Sequence, residues 1–264
     1  MHLTASHPFI GQPAAATRRA ETALAAAIAL FALLAALLPV THLPVHYHDF
    51  ADQRGWLGLP CAMDVLTNLP FALMGAWGLL WLRRVPAGRI GAAQRVLAGA
   101  FFVGLILTMF CSSAYHWAPG DGGLCIDRLG MSLAFAGLLG LAAADRVSAR
   151  AGLTLAVVIG IVAPASVLIA WAGNMTPWAV VQGGGLALLA FLAARRRVRG
   201  ALGFSIVAVI VLYAVAKALE LADAPVFALT HGLISGHSAK HLVAALAGWP
   251  VVRALRATIL SSRS

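Results

Sequence analysis

Long apolar runs, separated by short polar loops, dominate the pattern of hydrophobic and polar positions along the chain. Each run reaches or approaches the ~20 residues that an α-helix needs to cross a bilayer. The eight predicted membrane spans are residues 21–40, 62–82, 94–117, 123–144, 152–172, 177–194, 201–221 and 236–255. The pattern therefore predicts an all-α protein, a polytopic membrane helix bundle.

The charges of the loops alternate from one side of the predicted bundle to the other. Arginines cluster in both tails and in the loops near 83–95, 146–150 and 195–199. The intervening loops carry mainly acidic residues or no charge, so the positive-inside rule places both termini in the cytoplasm of a bacterial inner membrane. The predicted division of the chain is a cytoplasmic tail at 1–20, an extra amino-terminal transmembrane helix at 21–40, a seven-helix membrane domain at 41–257 and a cytoplasmic tail at 258–264.

Composition supports a membrane protein and argues against a nucleic-acid partner. The chain is 61% hydrophobic and 11% charged, whereas soluble domains are typically about 25% charged. The net charge of +10 comes from the loop arginines, which membrane topology explains, so we expect the bilayer as partner and no nucleic acid. The first apolar run is too long for the core of a signal peptide and is expected to be retained. We expect Cys111 and Cys125 to act as small apolar residues rather than as a disulfide.

Two of the predicted helices form a hairpin that carries polar groups. Ser112 and His116 are four residues apart and share one helix face. The turn residues from Pro119 to Gly123 then break the helix. Asp127 follows about one turn into the next helix, so His116 and Asp127 should lie at the same depth. The alternative for Ser112 alone is a residue that packs two helices together. The alternative for Asp127 alone is a cap at the amino terminus of a helix.

A second polar element is the pair His237 and His241, also four residues apart. Such a pair on one helix can bind a metal ion. Two capping or interfacial histidines are the alternative for the pair alone. With His116, the pair gives three imidazoles near one carboxylate and one hydroxyl. This composition is typical of a catalytic zinc site with an open fourth position.

Other polar residues of the predicted spans fall in the same layer, and charges in hydrocarbon are usually kept for function. They are Asp64, Asn68, Lys217, Glu220 and Lys240. We expect Asp64, Asn68, Glu220 and Lys240 to surround the metal site. Lys217 and Glu220 are three residues apart, so they are also expected to pair with each other.

The loop before the second span has a weaker metal signal. Asp49 and Asp52 offer carboxylates to a hard cation such as calcium, but a solvated loop with a pair between an aspartate and Arg54 is the favoured alternative. Three histidines of the same loop are expected at the surface rather than in a second metal site: His42, His46 and His48.

Three motifs together resemble the alkaline ceramidases, a family within a wider superfamily of seven-pass membrane proteins that includes the adiponectin-type receptors. The motifs are Asp64-Val-Leu-Thr-Asn-Leu-Pro-Phe71, Ser112-Ser-Ala-Tyr-His116 with Asp127-Arg-Leu129, and Ser235-Gly-His-Ser-Ala-Lys-His241. The resemblance runs from about residue 47 to 249. It implies a seven-helix ceramidase-like core, to which the span at 21–40 is extra, with His116, His237 and His241 as zinc ligands and Ser112 and Asp127 beside them.

The resemblance also implies hydrolysis of an acyl amide in ceramide or a related lipid. Two positions depart from the family: Thr67 stands where serine is frequent, and Cys61 stands where a polar or acidic residue is usual. The departure at Cys61 weakens the calcium prediction. Two other functions stay open at this point. One is a receptor or transporter with a structural zinc ion, and the other is a b-type haem protein.

Overall fold

The computed structural model describes residues 14–261, and this part of the chain contains helices and loops but no β-strand. The helices are α1 (Ala14–Leu37), α2 (Ala62–Leu66), α3 (Leu69–Arg84), α4 (Ala92–Trp117), α5 (Asp121–Arg146), α6 (Ala149–Trp171), α7 (Thr176–Ala193), α8 (Ile206–Leu221), α9 (Asp223–Leu229), α10 (Gly236–Ala245) and α11 (Trp249–Leu260). The predicted tails at 1–20 and 258–264 lie partly outside the described residues.

Seven helical segments of the described chain are long and apolar enough to cross a membrane. Two of them are interrupted: α2 with α3 gives one span at Ala62–Arg84, and α10 with α11 gives another at Gly236–Leu260. The prediction of an all-α, polytopic helix bundle is therefore confirmed. The amino-terminal helix begins at residue 14, seven residues before the predicted span.

The predicted span at 201–221 is shorter in the structure. Helix α8 has 16 residues, which makes it about 24 Å long against the ~30 Å of a bilayer core. Positive φ angles at Gly200 and Gly203 keep the preceding segment out of the helix, and the Ser205 side chain caps the helix by accepting from the Ala208 amide. This short helix packs mainly against α10.

The antiparallel pair α4 and α5 forms the centre of the bundle. The two backbones approach closely at glycines: a Cβ atom on Gly104 would lie 2.2 Å from the Ala134 nitrogen, and one on Gly137 would lie 2.3 Å from the Phe101 nitrogen. Small residues allow such approach in membrane helices. The tight turn between α4 and α5 defines one end of the bundle, which we call the hairpin end.

Helix α1 lies at the periphery of the bundle. Only Ala20 and Leu24 of this helix are buried. It packs against α7, where the Phe31 ring contacts Gly184, and the Glu21 carboxylate accepts a hydrogen bond of 2.6 Å from Ser148. The bundle from α2 to α11 therefore holds its own core, with α1 added outside it.

The end of the bundle opposite the hairpin contains a buried polar pair, Asp145 and Arg146, which we call the polar node. The sequence analysis did not predict it. Asp145 is fully buried and accepts from the Gly203 amide at 3.0 Å. The neighbouring Arg146 donates to the carbonyl oxygens of Arg195 and Phe204. These bonds tie the segment between α7 and α8 to the end of α5, so the role of the node is structural.

Candidate metal centre

Three buried histidines meet at the hairpin end. His116 projects from the last turn of α4, and His237 and His241 project from one face of α10. One nitrogen from each ring lies within 4.8 Å of the others, and the ring centroids are 4.8–5.0 Å apart. The predicted grouping is confirmed: these three imidazoles could hold a metal ion.

The hydroxyl of Thr67 determines which nitrogen of His241 is free. This hydroxyl donates its proton to the Met63 carbonyl at 2.7 Å, so it must accept from Nδ1 of His241, which lies 3.0 Å away. The Nε2 atom of His241 is then unprotonated, and it is buried with no hydrogen-bond partner among the described residues. Metal-binding histidines typically have this arrangement, in which the second nitrogen is held by a neighbour.

The spacing of the other two rings also fits a tetrahedral ion. The Nε2 atoms of His116 and His237 are 3.3 Å apart. Two nitrogens that each lie about 2.0–2.1 Å from a tetrahedral zinc ion are themselves separated by roughly 3.3–3.4 Å. The Lys240 ammonium lies 2.9 Å from Nε2 of His237, so metal binding requires this cation to move away. Glu220, 3.3 Å from the Lys240 nitrogen, offers it a partner.

Ser112 and Asp127 face each other beside the histidines, across the α4–α5 pair. The Ser112 hydroxyl is within hydrogen-bonding reach of the Asp127 carboxylate. Oδ1 of Asp127 is buried without a partner among the described residues. Asp127 does not belong to the group whose ligand atoms converge. The Asp127 carboxylate therefore neither caps a helix nor forms an ion pair with a described residue.

A cavity of about 360 Å³ begins at this polar cluster. The side chains that line its polar part are Ser112, Asp127, Arg128, Lys217, Glu220, Lys240 and His241. Mainly apolar side chains from α4, α5, α7 and α8 line the rest. Along α5 the lining extends from Asp127 to Leu139, twelve residues or about 18 Å. That length is close to half of the ~30 Å hydrocarbon core, so the cavity matches the depth of one lipid leaflet.

The loop before α2 covers the opposite side of the histidines. The Phe50 ring is buried and lies 4.7 Å from the His116 ring and 4.6 Å from the His237 ring, measured between centroids. Asp223 holds this arrangement, because its two oxygens accept from the amides of Ala51 at 2.9 Å and His237 at 2.7 Å. The loop therefore closes the metal centre on the side away from the cavity.

The expected neighbours of the metal site take different places. Asp64 is fully buried and accepts a hydrogen bond of 2.6 Å from Ser238, which anchors α10 against α2. Asn68 donates a hydrogen bond to the backbone carbonyl oxygen of Asp64 at the break between α2 and α3. Glu220 binds Lys217, as predicted, and also Lys240. Of these residues, Lys217, Glu220 and Lys240 line the cavity, while Asp64 and Asn68 do not.

The structure does not bring Asp49 and Asp52 into one site. Asp49 is bonded to His46 at 2.8 Å. Both oxygens of the buried Asp52 are engaged by Arg54 at 2.7 Å, and this hydrogen bonding holds the pKa of Asp52 below its ordinary value. The favoured alternative, an Asp–Arg pair, is therefore present, although Asp52 is buried rather than solvated. Among the described residues only the three-histidine group meets the geometry of a metal site, so the calcium prediction finds no support.

The remaining loop histidines and cysteines form no second site in the described chain. His42 bonds to the Gly173 carbonyl at 2.8 Å, and His48 bonds to Tyr115 at 2.8 Å and to Asp121 at 3.1 Å. Cys111 and Cys125 are free thiols, and so is Cys61.

Two residues of the centre were not identified from the sequence as parts of it. Thr67 was noted only as a departure from the family pattern, although it orients His241. Asp223 was not among the residues expected near the metal site, although it joins the covering loop to His237. The position of Thr67 three residues before Pro70, where a helix is prone to kink, is a signal that could have found it. The partners of Asp223 are distant in sequence, so no sequence pattern predicts them.

Replacing Thr67 with valine should lower the affinity for metal by roughly 10–100-fold, because the hydroxyl that orients His241 is lost. Valine is nearly the same size, so packing is preserved. Thr67→Ser keeps the hydroxyl and is the matched control. Metal affinity measured by competition with a chelator dye tests this expectation. Equal affinities for Thr67→Val and the wild type would contradict the assigned tautomer.

No protein-family model and no curated protein matches the sequence. The resemblance to the alkaline ceramidases therefore rests on the three motifs alone.

Proposed function

We propose that this protein is a zinc-dependent intramembrane hydrolase that cleaves the amide bond of ceramide or a related N-acyl lipid. The products would be a fatty acid and a free amine, which is a sphingoid base if the substrate is ceramide. One observation carries the proposal: three imidazoles converge beside an unpaired carboxylate, at the polar end of a long apolar cavity. The resemblance to the alkaline ceramidases agrees with it.

Zinc is the metal that suits this donor set best. Three neutral nitrogen ligands with an open fourth position are typical of catalytic zinc sites. Calcium and magnesium prefer oxygen ligands, and the histidine group contains none. The 3.3 Å spacing of His116 and His237 and the free Nε2 of His241 support the same assignment.

The apolar cavity suits the acyl chain of a lipid. A chain that enters from the polar end would place its carbonyl group beside Ser112, Asp127 and His241 and its tail among the leucines and phenylalanines of the cavity wall. Burial of that tail favours binding by about 25 cal/mol per Å² of apolar area. The substrate would then be oriented by its own hydrophobicity.

The chain's own residues supply the proton transfer. When bound, zinc would activate water and polarise the carbonyl group of the substrate. Asp127 would accept a proton from the attacking water and return it to the nitrogen of the leaving amine. The Ser112 hydroxyl would donate a hydrogen bond to the oxygen of the carbonyl as negative charge develops there.

The two alternative functions receive less support from the geometry. A structural zinc ion in a receptor or transporter would be expected to have a closed set of four ligands, and Asp127 stands outside the ligand group. Haem is held by axial ligands on either face of a flat macrocycle. Three imidazoles whose rings contact each other edge to face leave no room for that macrocycle.

If the short helix α8 is counted as an eighth crossing, the alternating charges of the loops support a location in a bacterial inner membrane with both termini in the cytoplasm. The α4–α5 turn and the amino terminus of α10 would then lie on the periplasmic side. The metal centre would sit in the periplasmic half of the bilayer, at the depth where the amide of a lipid meets its acyl chain.

Release of fatty acid from a panel of N-acyl lipids tests the proposal. Purified, zinc-loaded protein in liposomes should release fatty acid from ceramide or another acyl amide, and a chelator should stop the reaction. A lipidomic comparison of cells with and without the protein should identify the lipid that accumulates in its absence. Zinc-loaded protein that releases fatty acid from no acyl amide would favour the receptor or transporter function.

A further inference from the structure

Arg128 is a buried cation without an anionic partner. It follows Asp127 on α5, and only 6% of its surface is exposed. Within the described chain no carboxylate lies at ion-pair distance from it. Its guanidinium donates to the Met175 sulfur at 3.1 Å and to the Tyr47 hydroxyl at 3.4 Å. Sulfur is a weak acceptor, and buried charges are usually paired, whereas the two groups that accept hydrogen bonds from this guanidinium are neutral.

Two aromatic rings flank the guanidinium. Its central carbon lies 5.7 Å from the centroid of the Tyr47 ring and 5.6 Å from that of Trp178. Such contacts stabilise a cation and hold a planar group in a fixed position. They do not occupy the donors of the guanidinium, which can bind a carboxylate or a phosphate in a bidentate manner.

The cavity wall has an excess of positive charge at this end. Three cations line the cavity, Arg128, Lys217 and Lys240, against two carboxylates, Asp127 and Glu220. Glu220 pairs with both lysines. Arg128 forms no ion pair with a described carboxylate, and Asp127 attracts it only from beyond ion-pair distance. The low dielectric of the surroundings strengthens its attraction for an added anion.

We propose that Arg128 binds an oxyanion, a carboxylate or a phosphate, on the headgroup of the substrate. The preferred substrate would then be an N-acyl lipid with an anionic group close to its amide, whereas ceramide has no charge. The inference rests on the proposed function, because it takes the scissile amide to lie at Asp127, the neighbouring residue. An anion held by Arg128 would sit beside the reacting carbonyl while the acyl chain occupies the apolar part of the cavity.

A pair of lipids that differ in a single charge tests the carboxylate form of the proposal. N-palmitoylglycine carries a carboxylate, and N-palmitoylglycinamide is its neutral counterpart of nearly equal size. The wild type should cleave the acid with a kcat/KM about tenfold to a hundredfold higher than the amide, the range expected for hydrogen bonds to a charged group. Arg128→Gln should remove most of this preference through a higher KM for the acid.

Two further variants separate a binding role from a structural one. Arg128→Lys keeps the charge but loses the bidentate geometry, so its preference should be intermediate. Arg253→Gln removes an exposed arginine of α11 and is the control for loss of a positive charge. A merely structural Arg128 would lower kcat/KM for the acid and the amide by the same factor in Arg128→Gln.

A second pair distinguishes a phosphate from a carboxylate: N-palmitoylphosphoethanolamine and N-palmitoylethanolamine. The pair with the larger ratio of kcat/KM values identifies the anion. Equal values for the charged and neutral members of both pairs would overturn the proposal. If no lipid is cleaved, dissociation constants for the same four lipids replace kcat/KM. If the charged lipids then bind more tightly and Arg128→Gln abolishes this preference, anion binding by Arg128 is supported and the hydrolase function is refuted. Equal binding of charged and neutral lipids would refute both anion binding by Arg128 and the hydrolase function.

Discussion

Replacing His116 and His237 together with alanine should abolish metal binding and the proposed hydrolase activity. The wild type is expected to carry about one zinc ion per chain, held by three histidines. Loss of a group that merely orients a ligand costs roughly 10–100-fold in metal affinity, so loss of two of the three ligands should exceed that by far. Metal analysis of the purified protein by mass spectrometry measures the effect.

The loop histidines provide a matched control for this experiment. The double variant His42→Ala, His46→Ala also removes two histidine side chains, but these contact Gly173 and Asp49 instead of the metal centre. This control should keep both zinc and activity. Thermal unfolding in detergent would show whether the His116 and His237 variant still folds. Full zinc occupancy in a folded His116→Ala, His237→Ala protein would refute the assignment.

Helical periodicity and the cost of placing charge in hydrocarbon were sufficient to predict the centre of the site. Residues four apart on a helix share a face, so the partners His237 and His241 could be predicted from spacing. The turn between α4 and α5 was expected to place His116 and Asp127 at the same depth for an equally local reason, and in the structure the Ser112 hydroxyl is within hydrogen-bonding reach of Asp127. The meeting of His116 with the α10 pair is not local, and it was inferred from a shared depth near one face of the membrane.

The boundaries of α8 could not be predicted from hydropathy. Residues 201–205 are as apolar as a helix start, but positive φ angles at Gly200 and Gly203 and the cap at Ser205 delay the helix. Contacts with Asp145 from α5 stabilise that extended segment. Hydropathy measures how apolar a segment is, but it does not predict that the Gly203 amide donates a hydrogen bond to the buried Asp145 carboxylate.

The sequence also could not predict the roles of residues whose partners lie far away along the chain. Thr67 orients His241 across 174 positions of sequence, and Asp223 joins residue 51 to residue 237. Arg128 stood in a quoted motif, but its significance lies in what surrounds it: two aromatic rings, a sulfur atom and, within the described chain, no carboxylate at ion-pair distance. An unpaired charge becomes visible only when every neighbour is known.

Asp127→Asn should retain zinc but lose about 10²–10⁴-fold in turnover, the usual contribution of a general acid and base. The asparagine amide has nearly the same shape as the carboxylate and cannot accept the proton of the attacking water. Zinc binding should persist because Asp127 lies outside the ligand group. The rate of fatty acid release at saturating lipid, with zinc content measured on the same sample, tests the prediction.

Ser112→Ala separates the role of the carboxylate from that of its neighbour. In the proposed mechanism the Ser112 hydroxyl would donate a single hydrogen bond to the developing oxyanion, and its loss should lower turnover less than Asp127→Asn does, by up to about 10²-fold. Ser113→Ala removes a hydroxyl one residue away, which contacts the Val65 carbonyl instead, and it should stay near the wild-type rate. If Asp127→Asn released fatty acid at a near-normal rate from every lipid that the wild type cleaves, another group would have to be the base, because Ser112 cannot return a proton to the amine on its own.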